Sequence, residues 1–353
     1  MLANHADVIV VGGGIIGASI SYHLGKRQVG DVLVLERHQL ASGTTWHAAG
    51  LVAQMRSTEN QTKLARYSLD LYERLFDETG QDPGFRQPGA ITLASTPSRW
   101  EEIRRTAAMA RSLGVDATEI TPSEIAERWP MAEVGDLFGG IWLPHDGVVG
   151  PSDATMALAR GARMNGARFV ENTGVARLIF DDTMVGRSRC VGVVTDDGDE
   201  ISAGSVVLAC GLWTRHLAAL AGVDVPLMAA EHHYVVTEPI DGIDADWPIL
   251  RDPDRWAYLK PEAGGSLLVG LFEPNGRPWP ASGPPPTDAP HLSMEPDADH
   301  LQEWIVPAFD RVPVLHDAGL RLLFDGPESF TPDDSYILGE APGRERLFVA
   351  AGF

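Results

Sequence analysis

A glycine-rich hexapeptide near the amino terminus has the composition of a phosphate-binding turn. The sequence GGGIIG at residues 12–17 follows the apolar run DVIVV at 7–11 and precedes small and apolar residues at helical spacing. Glycines permit a tight turn and let the backbone approach a pyrophosphate, which the amide groups at a helix N-terminus then bind. The pattern predicts that a dinucleotide is bound by Gly12, Gly14, Ile15, Ile16 and Gly17.

An acidic residue lies at the distance expected for a ribose contact. Glu36 ends a second apolar run, DVLVL at 31–35, and Arg37 follows it directly. A carboxylate about 20 residues beyond the glycines accepts hydrogen bonds from ribose hydroxyl groups. Glycines alone would predict little more than a tight turn, whereas glycines and acid together predict a nucleotide site. They do not separate FAD from NAD, because both contain the same ADP half.

A polar loop follows the second strand and favours the flavin nucleotide. Residues 41–50 read ASGTTWHAAG, so hydroxyl groups, an indole and an imidazole crowd a segment that would be an ordinary helix entry in a nicotinamide enzyme. We therefore expect this loop to approach FAD. The cofactor contacts assigned to it are Ser42, Gly43, Thr44, Thr45 and His47.

The elements that position these residues predict an α/β protein. Strand, glycine turn, helix and second strand within the first 37 residues form one βαβ unit with parallel strands. Two later stretches alternate polar and apolar residues as half-solvated antiparallel strands do. We expect a Rossmann-like FAD-binding domain with a central parallel sheet, and a second antiparallel-sheet α+β substrate domain formed by insertions. The expected boundaries are 1–88, 151–221 and 327–353 for the first domain, and 89–150 and 222–326 for the second.

Composition and charge exclude several classes of partner. Lys and Arg number 28 against 49 Asp and Glu, and the net charge of −21 repels nucleic acid and anionic lipid. No apolar stretch reaches the roughly 20 residues that span a bilayer, and the first residues lack a secretion signal. We expect no nucleic-acid partner, no membrane and a cytoplasmic location. Cys190 and Cys210 lack metal-ligand spacing, so no metal is expected.

Six segments together resemble the dimethylglycine and sarcosine dehydrogenases, FAD-dependent amine oxidoreductases with a glycine-oxidase-like fold. The segments are SGTTWHAAG at 42–50, ETGQDPGFRQPGAITLASTP at 78–97, DGVVGPSDATMALARGAR at 146–163, VVLACGLW at 206–213, EHHYVVT at 231–237 and FTPD at 330–333. The resemblance covers essentially the whole chain. It implies that FAD is the cofactor and that an N-methylated glycine, sarcosine or dimethylglycine, is oxidatively demethylated by hydride transfer to flavin N5.

The same resemblance implies how individual residues meet the flavin. His47 would carry FAD covalently through the 8α-methyl carbon, and the chemistry agrees, because a neutral imidazole is a competent nucleophile. Val175 would contact the adenine. Gly211 and Trp213 would line the flavin.

Three further residues are expected to act on the substrate. His232 and Tyr258 resemble a pair that orients the amine and keeps it unprotonated, which matters because hydride leaves the carbon beside nitrogen more readily when the nitrogen lone pair is free. The adjacent His233 leaves the choice of imidazole open. Arg56 is the candidate to hold a substrate carboxylate, since a guanidinium binds both oxygens at once.

The expected partners are a small amine with a carboxylate and an electron acceptor, either a carrier protein or oxygen. Relatives continue beyond the position of Phe353 into a glycine-rich turn and a helix, so we expect the FAD domain to be incomplete at its carboxyl end. Two alternatives remain open. An NAD(P)-dependent dehydrogenase would be colourless and bind NADH, and an inactive or partner flavoprotein fragment would not turn over an amine.

Overall fold

The secondary structure comes from a computed structural model that describes residues 4–182, 188–281 and 283–353. In chain order the strands are β1 (His5–Val11), β2 (Val32–Leu35), β3 (Leu51–Val52), β4 (Ala90–Ala94), β5 (Thr118–Ile120), β6 (Gly139–Leu143), β7 (Gly147–Val148), β8 (Arg168–Val170), β9 (Val175–Asp181), β10 (Arg189–Thr195), β11 (Glu200–Leu208), β12 (Met228–Thr237), β13 (Ile249–Asp252), β14 (Ala257–Pro261), β15 (Leu267–Leu271), β16 (Leu320–Phe330), β17 (Ile337–Glu340) and β18 (Leu347–Ala351). The helices are α1 (Ile15–Lys26), α2 (Glu59–Thr79), α3 (Pro97–Ser112), α4 (Pro122–Arg128), α5 (Pro151–Met164), α6 (Thr214–Ala219) and α7 (Ala298–Arg311).

The first sheet contains the predicted βαβ unit. Its strands lie in the order β17-β18-β11-β1-β2-β8, and β9 and β10 form a hairpin that joins it through β11. β1 is central and pairs in parallel with both β2 and β11. Helices α1 and α5 pack together on one face, where Tyr22 and Ala162 are buried against Val10 and Val34 of the sheet. The Rossmann-like prediction is confirmed.

The second sheet is built from two separate stretches of the chain. Its order is β16-β12-β15-β14-β13-β4-β6-β5, so strands from residues 90–143 lie beside strands from residues 228–330. Most pairs are antiparallel as predicted, but β4 and β13 are parallel, with Ile91 opposite Leu250. The difference has a physical reason: the two strands come from different excursions, so no hairpin turn forces them into opposite directions. α7 covers one face through Leu301 and Ile305.

The surface helices begin and end where their sequences predict. The Thr58 side chain accepts a hydrogen bond from the Gln61 amide at the start of α2, and Gly80 ends that helix in the left-handed conformation. α4 begins with a reciprocal capping pair, in which Thr121 and Glu124 each bond to the other's backbone amide. Within the described ranges, no helix has both the length and the apolar character required to cross a lipid bilayer.

Candidate active site

The glycine turn lies at the carboxyl end of β1 and at the start of α1. Gly12 has a φ of +109°, and a Cβ there would lie 2.3 Å from the Ala209 carbonyl oxygen. A Cβ on Gly17 would lie 1.9 Å from the Gly12 carbonyl oxygen. Any side chain at this position would therefore prevent α1 from packing as closely against the glycine turn as it does. Gly14, the N-cap residue, offers no side-chain cap to α1 and the first turn holds no acid, although the Ile15 amide already donates a hydrogen bond to Thr45 Oγ1 at 3.1 Å. The helix N-terminus is therefore suited to bind an anion.

Glu36 fixes the geometry beside this turn. Its Oε2 accepts a hydrogen bond from the Gly13 amide at 2.6 Å, and its Oε1 accepts one from the His38 amide at 2.9 Å. A carboxylate has about four acceptor positions, so two remain for a ligand's hydroxyl groups. Glu36 thus holds the turn to the end of β2 and retains the capacity to bind a ribose.

A cavity of about 280 Å³ lies over the glycine turn. All the predicted cofactor residues except Gly17 and His47 line it, namely Gly12, Gly14, Ile15, Ile16, Glu36, Arg37, Ser42, Gly43, Thr44, Thr45, Val175, Gly211 and Trp213. Sequence reasoning missed other wall residues, including His38, Thr173, Gly174, Cys210, Glu328 and residues 350–353. His38, Thr173, Gly174 and Cys210 lie within two residues of predicted residues but belong to no recognised motif, whereas the fold brings in Glu328 and residues 350–353 from distant parts of the chain. Residues 350–353 lie at and just beyond the carboxyl end of β18, the next strand but one from β1.

His47 lies behind the wall of this cavity. It ends a 3₁₀ turn that begins at Thr45, and its ring centre is 5.3 Å from that of Trp46 and 5.2 Å from that of Phe324. The residue is 5% exposed, and its Nε2 has no hydrogen-bond partner among the residues described. Burial, aided by the charge of His232, lowers the pKa of His47 to about 4. The imidazole is therefore neutral near pH 7.

His232 and Tyr258 line neither this cavity nor the larger cavity described below. His232 lies on β12 with its Nδ1 3.5 Å from Glu273 Oε1. Burial alone would lower the pKa of His232, but neighbouring carboxylates, Glu273 first, outweigh it and raise the pKa above its ordinary value. Tyr258 lies on β14 opposite Gly270, and burial raises the pKa of its hydroxyl group. The absence of a Cβ at Gly270 leaves room for the Tyr258 ring.

A second, larger cavity of about 820 Å³ adjoins the first. Both include Ile15, Thr45 and Ala48, so the two spaces meet at the polar loop. The predicted Arg56 lies in the wall of the larger cavity, and so does Arg251 of β13, which the sequence analysis did not assign to the site. Its only sequence signal is a cation that directly follows two apolar residues of a short strand.

A buried carboxylate lies close to the two guanidinium groups. Asp146 is fully buried, and its Oδ1 accepts hydrogen bonds from the Gln54 amide at 3.0 Å and from the Gln54 side chain at 3.4 Å. Burial raises the pKa of Asp146 to about 6, although the Gln54 contacts and the charges of Arg251 and Arg56 oppose the shift. Two cations and one carboxylate leave this region with a net positive charge of about one when all three are ionised.

Strand register brings Arg251 and several aromatic side chains behind the chamber wall onto one face of the second sheet. Tyr258 is opposite Arg251 on one side and Gly270 on the other, and Tyr234 is opposite Gly270 and Phe324. Directly opposed residues project to the same face. Phe324 reaches the His47 ring, so this face packs against the polar loop.

These features define a protein that binds a dinucleotide at the ends of parallel strands beside a chamber for a small molecule, an architecture typical of nucleotide-dependent oxidoreductases. The chain belongs to the FAD dependent oxidoreductase family, DAO, which matches residues 7–353. FAD therefore takes precedence over the nicotinamide alternative. The acid-free N-terminus of α1, the glycines of the turn and the free acceptor positions of Glu36 fit its ADP half.

Individual relatives agree with this assignment. The chain is 43% identical over 352 residues to 4-methylaminobutanoate oxidase (formaldehyde-forming) of Paenarthrobacter nicotinovorans. This match covers 100% of this chain and 42% of that protein. The chain is 38% identical over 357 residues to mitochondrial sarcosine dehydrogenase of Homo sapiens, covering 100% and 38%. The chain thus spans about two fifths of the length of these relatives. The predicted resemblance is confirmed.

A solved structure supports the fold. L-proline dehydrogenase from P. horikoshii is similar to this chain with a TM-score of 0.86 and 26% sequence identity, and the match covers 100% of this chain and 89% of that one. The two chains therefore share the arrangement of both sheets over nearly their whole lengths.

Proposed function

We propose that this chain oxidises a small N-methyl amine that carries a carboxylate, using FAD attached to His47. The observation that supports this most strongly is the chamber whose wall includes Arg56 and Arg251, and which meets the nucleotide cavity at the loop that contains His47. A third arginine in the wall, Arg99, is already paired with Glu102 and Asp254. Sarcosine, dimethylglycine and 4-methylaminobutanoate, the compounds in the relatives' names, all combine a methylated nitrogen with a carboxylate. When bound, FAD supplies the two-electron oxidant for the carbon beside the nitrogen.

Arg56 and Arg251 bind the substrate carboxylate in this proposal. Guanidinium groups hold carboxylates through paired, charge-assisted hydrogen bonds, which fix orientation as well as supplying affinity. Asp146 offsets one of the two positive charges, so that the remaining charge matches a substrate with a single carboxylate. A dicarboxylate would leave an uncompensated negative charge and bind less well.

In this proposal His232 and Tyr258 lie behind the chamber wall and support it, and they do not contact the substrate. Both side chains project from the sheet face that packs against the polar loop, and neither lines the two cavities. We assign them to holding the loop and the Arg251 strand in position. His47 contributes a buried, neutral imidazole whose Nε2 lacks a partner in the described part of the chain, as a nucleophile toward the flavin requires.

The attachment is tested by acid precipitation of the purified holoprotein. Yellow, fluorescent flavin should remain with the polypeptide of the wild type and be released from His47→Ala. The control is His38→Ala, which removes a histidine that lines the cavity beside Glu36, far along the nucleotide from the flavin ring in our proposal. Retention of flavin by His47→Ala, or its release from the wild type, would refute the covalent assignment.

The reaction is tested by turnover of sarcosine, dimethylglycine and 4-methylaminobutanoate with a dye acceptor, in parallel with oxygen consumption. Formaldehyde should appear in proportion to reduced acceptor, and the ratio of dye to oxygen rates identifies the acceptor class. N-methylalkylamines without a carboxylate should react poorly. A flavin-loaded protein that turns over none of these amines would instead support a partner or fragment role.

A further inference from the structure

Three potential metal ligands project from the back of the paired strands β12, which carries His232, and β16. Glu231 and His233 are two residues apart on β12, and His233 is directly opposite Asp325 on β16. Residues two apart on a strand, and residues opposed across a strand pair, project to the same face. Because the pleat alternates, His232 projects to the other face, toward the polar loop. The three side chains therefore form a group distinct from the FAD site.

The distances suit a single ion. His233 Nδ1 is 3.4 Å from Asp325 Oδ1, and one donor atom from each of the three residues lies within 4.8 Å of the others. In a tetrahedral zinc site with bonds of about 2.0 to 2.2 Å, neighbouring ligand atoms are about 3.3 Å apart. Two of the ligands already have this separation. The third, Glu231, is only partly buried, and its flexible side chain needs a shift of about an ångström.

The buried members of the group lack the partners that buried polar groups normally have. His233 is 1% exposed and Asp325 is 2% exposed. Neither ring nitrogen of His233, nor Oδ1 of Asp325, has a hydrogen-bond partner within the residues described, and the same holds for Nε2 of the neighbouring His300. Since more than about nine in ten buried polar groups are paired, so many unpaired atoms in one place indicate a missing ligand.

Charge points to a cation. Glu231 and Asp325 bring two carboxylates together at the His233 imidazole, and Glu273, whose side chain is 1% exposed, adds a third carboxylate nearby. Arg277 is near enough for its charge to interact with Glu231 and Asp325, but its guanidinium is paired with Asp297. Convergent carboxylates in a poorly solvated place repel one another unless a positive charge lies between them. A divalent ion would satisfy the charge and the unpaired nitrogen together, as water would not.

We propose that Glu231, His233 and Asp325 bind a divalent transition-metal ion, with Zn²⁺ the best match to one imidazole and two carboxylates. The ion would join β12 to β16 behind the chamber. We assign the ion a structural role, because it would fix two strands that reach the site: the opposite face of β12 carries His232, and β16 continues to Glu328 in the nucleotide cavity. Cysteine spacing gives no sign of this site, because its ligands are one histidine and two carboxylates, and Asp325 is remote from His233 along the chain.

The probe is Co²⁺, which gives visible absorption at longer wavelengths than flavin when it is tetrahedral. The full-length protein, without a histidine tag, is treated with chelator, dialysed and titrated with Co²⁺, and then Zn²⁺ is added. We expect one Co²⁺ per chain, displaced by Zn²⁺. His233→Gln and Asp325→Asn should weaken binding on the order of 100-fold. His316→Gln is the control, because it removes an exposed histidine that lies 2.8 Å from Asp310.

Two results would overturn the proposal. One is a wild type that binds neither ion more tightly than about 100 µM, a free energy of only about 5.5 kcal/mol. The other is unchanged Co²⁺ binding in His233→Gln. If the two buried variants fail to fold, Glu231→Gln replaces them, because its side chain is partly exposed, and it too must weaken binding. Flavin content is measured alongside and should be the same in every variant, so failure here leaves the proposed oxidation standing.

Discussion

His47 is kept neutral by its surroundings. Burial lowers its pKa to about 4, so the imidazole lone pair is available across the physiological range. We predict that the rate of FAD attachment to apoprotein changes little between about pH 5 and pH 8 and falls by about half near pH 4. Flavin that survives acid precipitation, sampled over time, measures the rate. An ordinary imidazole would instead show a steep rise around its usual pKa near 6.5, and such a profile would contradict the buried geometry.

No sequence motif identifies Arg251, yet the structure places it in the chamber wall, where it can bind the substrate carboxylate in our proposal. Replacing it by Met removes the charge but keeps the length of the side chain. We expect KM for the carboxylated amine to rise on the order of 10- to 100-fold, as the loss of about 1.5 to 3 kcal/mol from a charge-assisted hydrogen bond implies. kcat should change much less.

Steady-state kinetics on three variants test this role. Arg56→Met should behave like Arg251→Met, whereas Arg104→Met, which removes an exposed guanidinium paired with Glu119, should behave like the wild type. A larger fall in kcat than rise in KM would show that Arg251 acts on the reacting centre rather than on the distant carboxylate.

At the level of elements, the turn between β1 and α1 tolerates no side chain at Gly17. A Cβ there would overlap the Gly12 carbonyl oxygen at 1.9 Å, so Gly17→Ala must push the helix away from the turn. We predict a loss of about 3 kcal/mol or more in the free energy of unfolding, together with loss of bound FAD. Urea denaturation and flavin absorbance measure the two effects. Gly135→Ala is the control, because a Cβ there meets no atom of the described chain within 4 Å; equal effects of the two variants would refute this account.

Elements with local signals could be predicted from the sequence, and elements set by distant contacts could not. Thr121 and Glu124 specify the start of α4 by bonding to each other's backbone, and Gly80 specifies the end of α2 by its left-handed conformation. By contrast, the parallel pairing of β4 with β13 depends on two excursions that meet only in the folded chain. The glycines and Glu36 could also be predicted, because their spacing is set locally by one strand-turn-helix unit. Arg251, in contrast, enters the site through the long-range pairing of β4 with β13.

At the level of the whole molecule, the site exists only where the two sheets meet. The first sheet supplies the glycine turn and the strand ends, and the second supplies Arg251 and the aromatic row that packs on the polar loop. Lys260 of β14 reinforces this junction by donating a hydrogen bond to the Ala49 carbonyl oxygen at 2.8 Å. Sequence motifs therefore identified the cofactor side of the site more completely than the substrate side, because only the cofactor side lies within a contiguous unit.

Asp146 makes the stability of this junction depend on pH. Its pKa is raised by burial from an ordinary 3.8 to about 6, so the folded protein binds the proton more tightly than the unfolded chain. The stability that this proton contributes is fully present below about pH 4 and is lost as the pH rises through about 6. Between pH 5 and pH 7, the free energy of unfolding of the wild type should therefore fall by about 1 kcal/mol more than that of Asp146→Asn, in which Asn can still accept the Gln54 hydrogen bonds. Urea denaturation at a series of pH values gives this difference, with the exposed Asp116→Asn as control. Parallel curves for the wild type and Asp146→Asn would mean that the charges of Arg56 and Arg251 keep the buried carboxylate ionised at all these pH values.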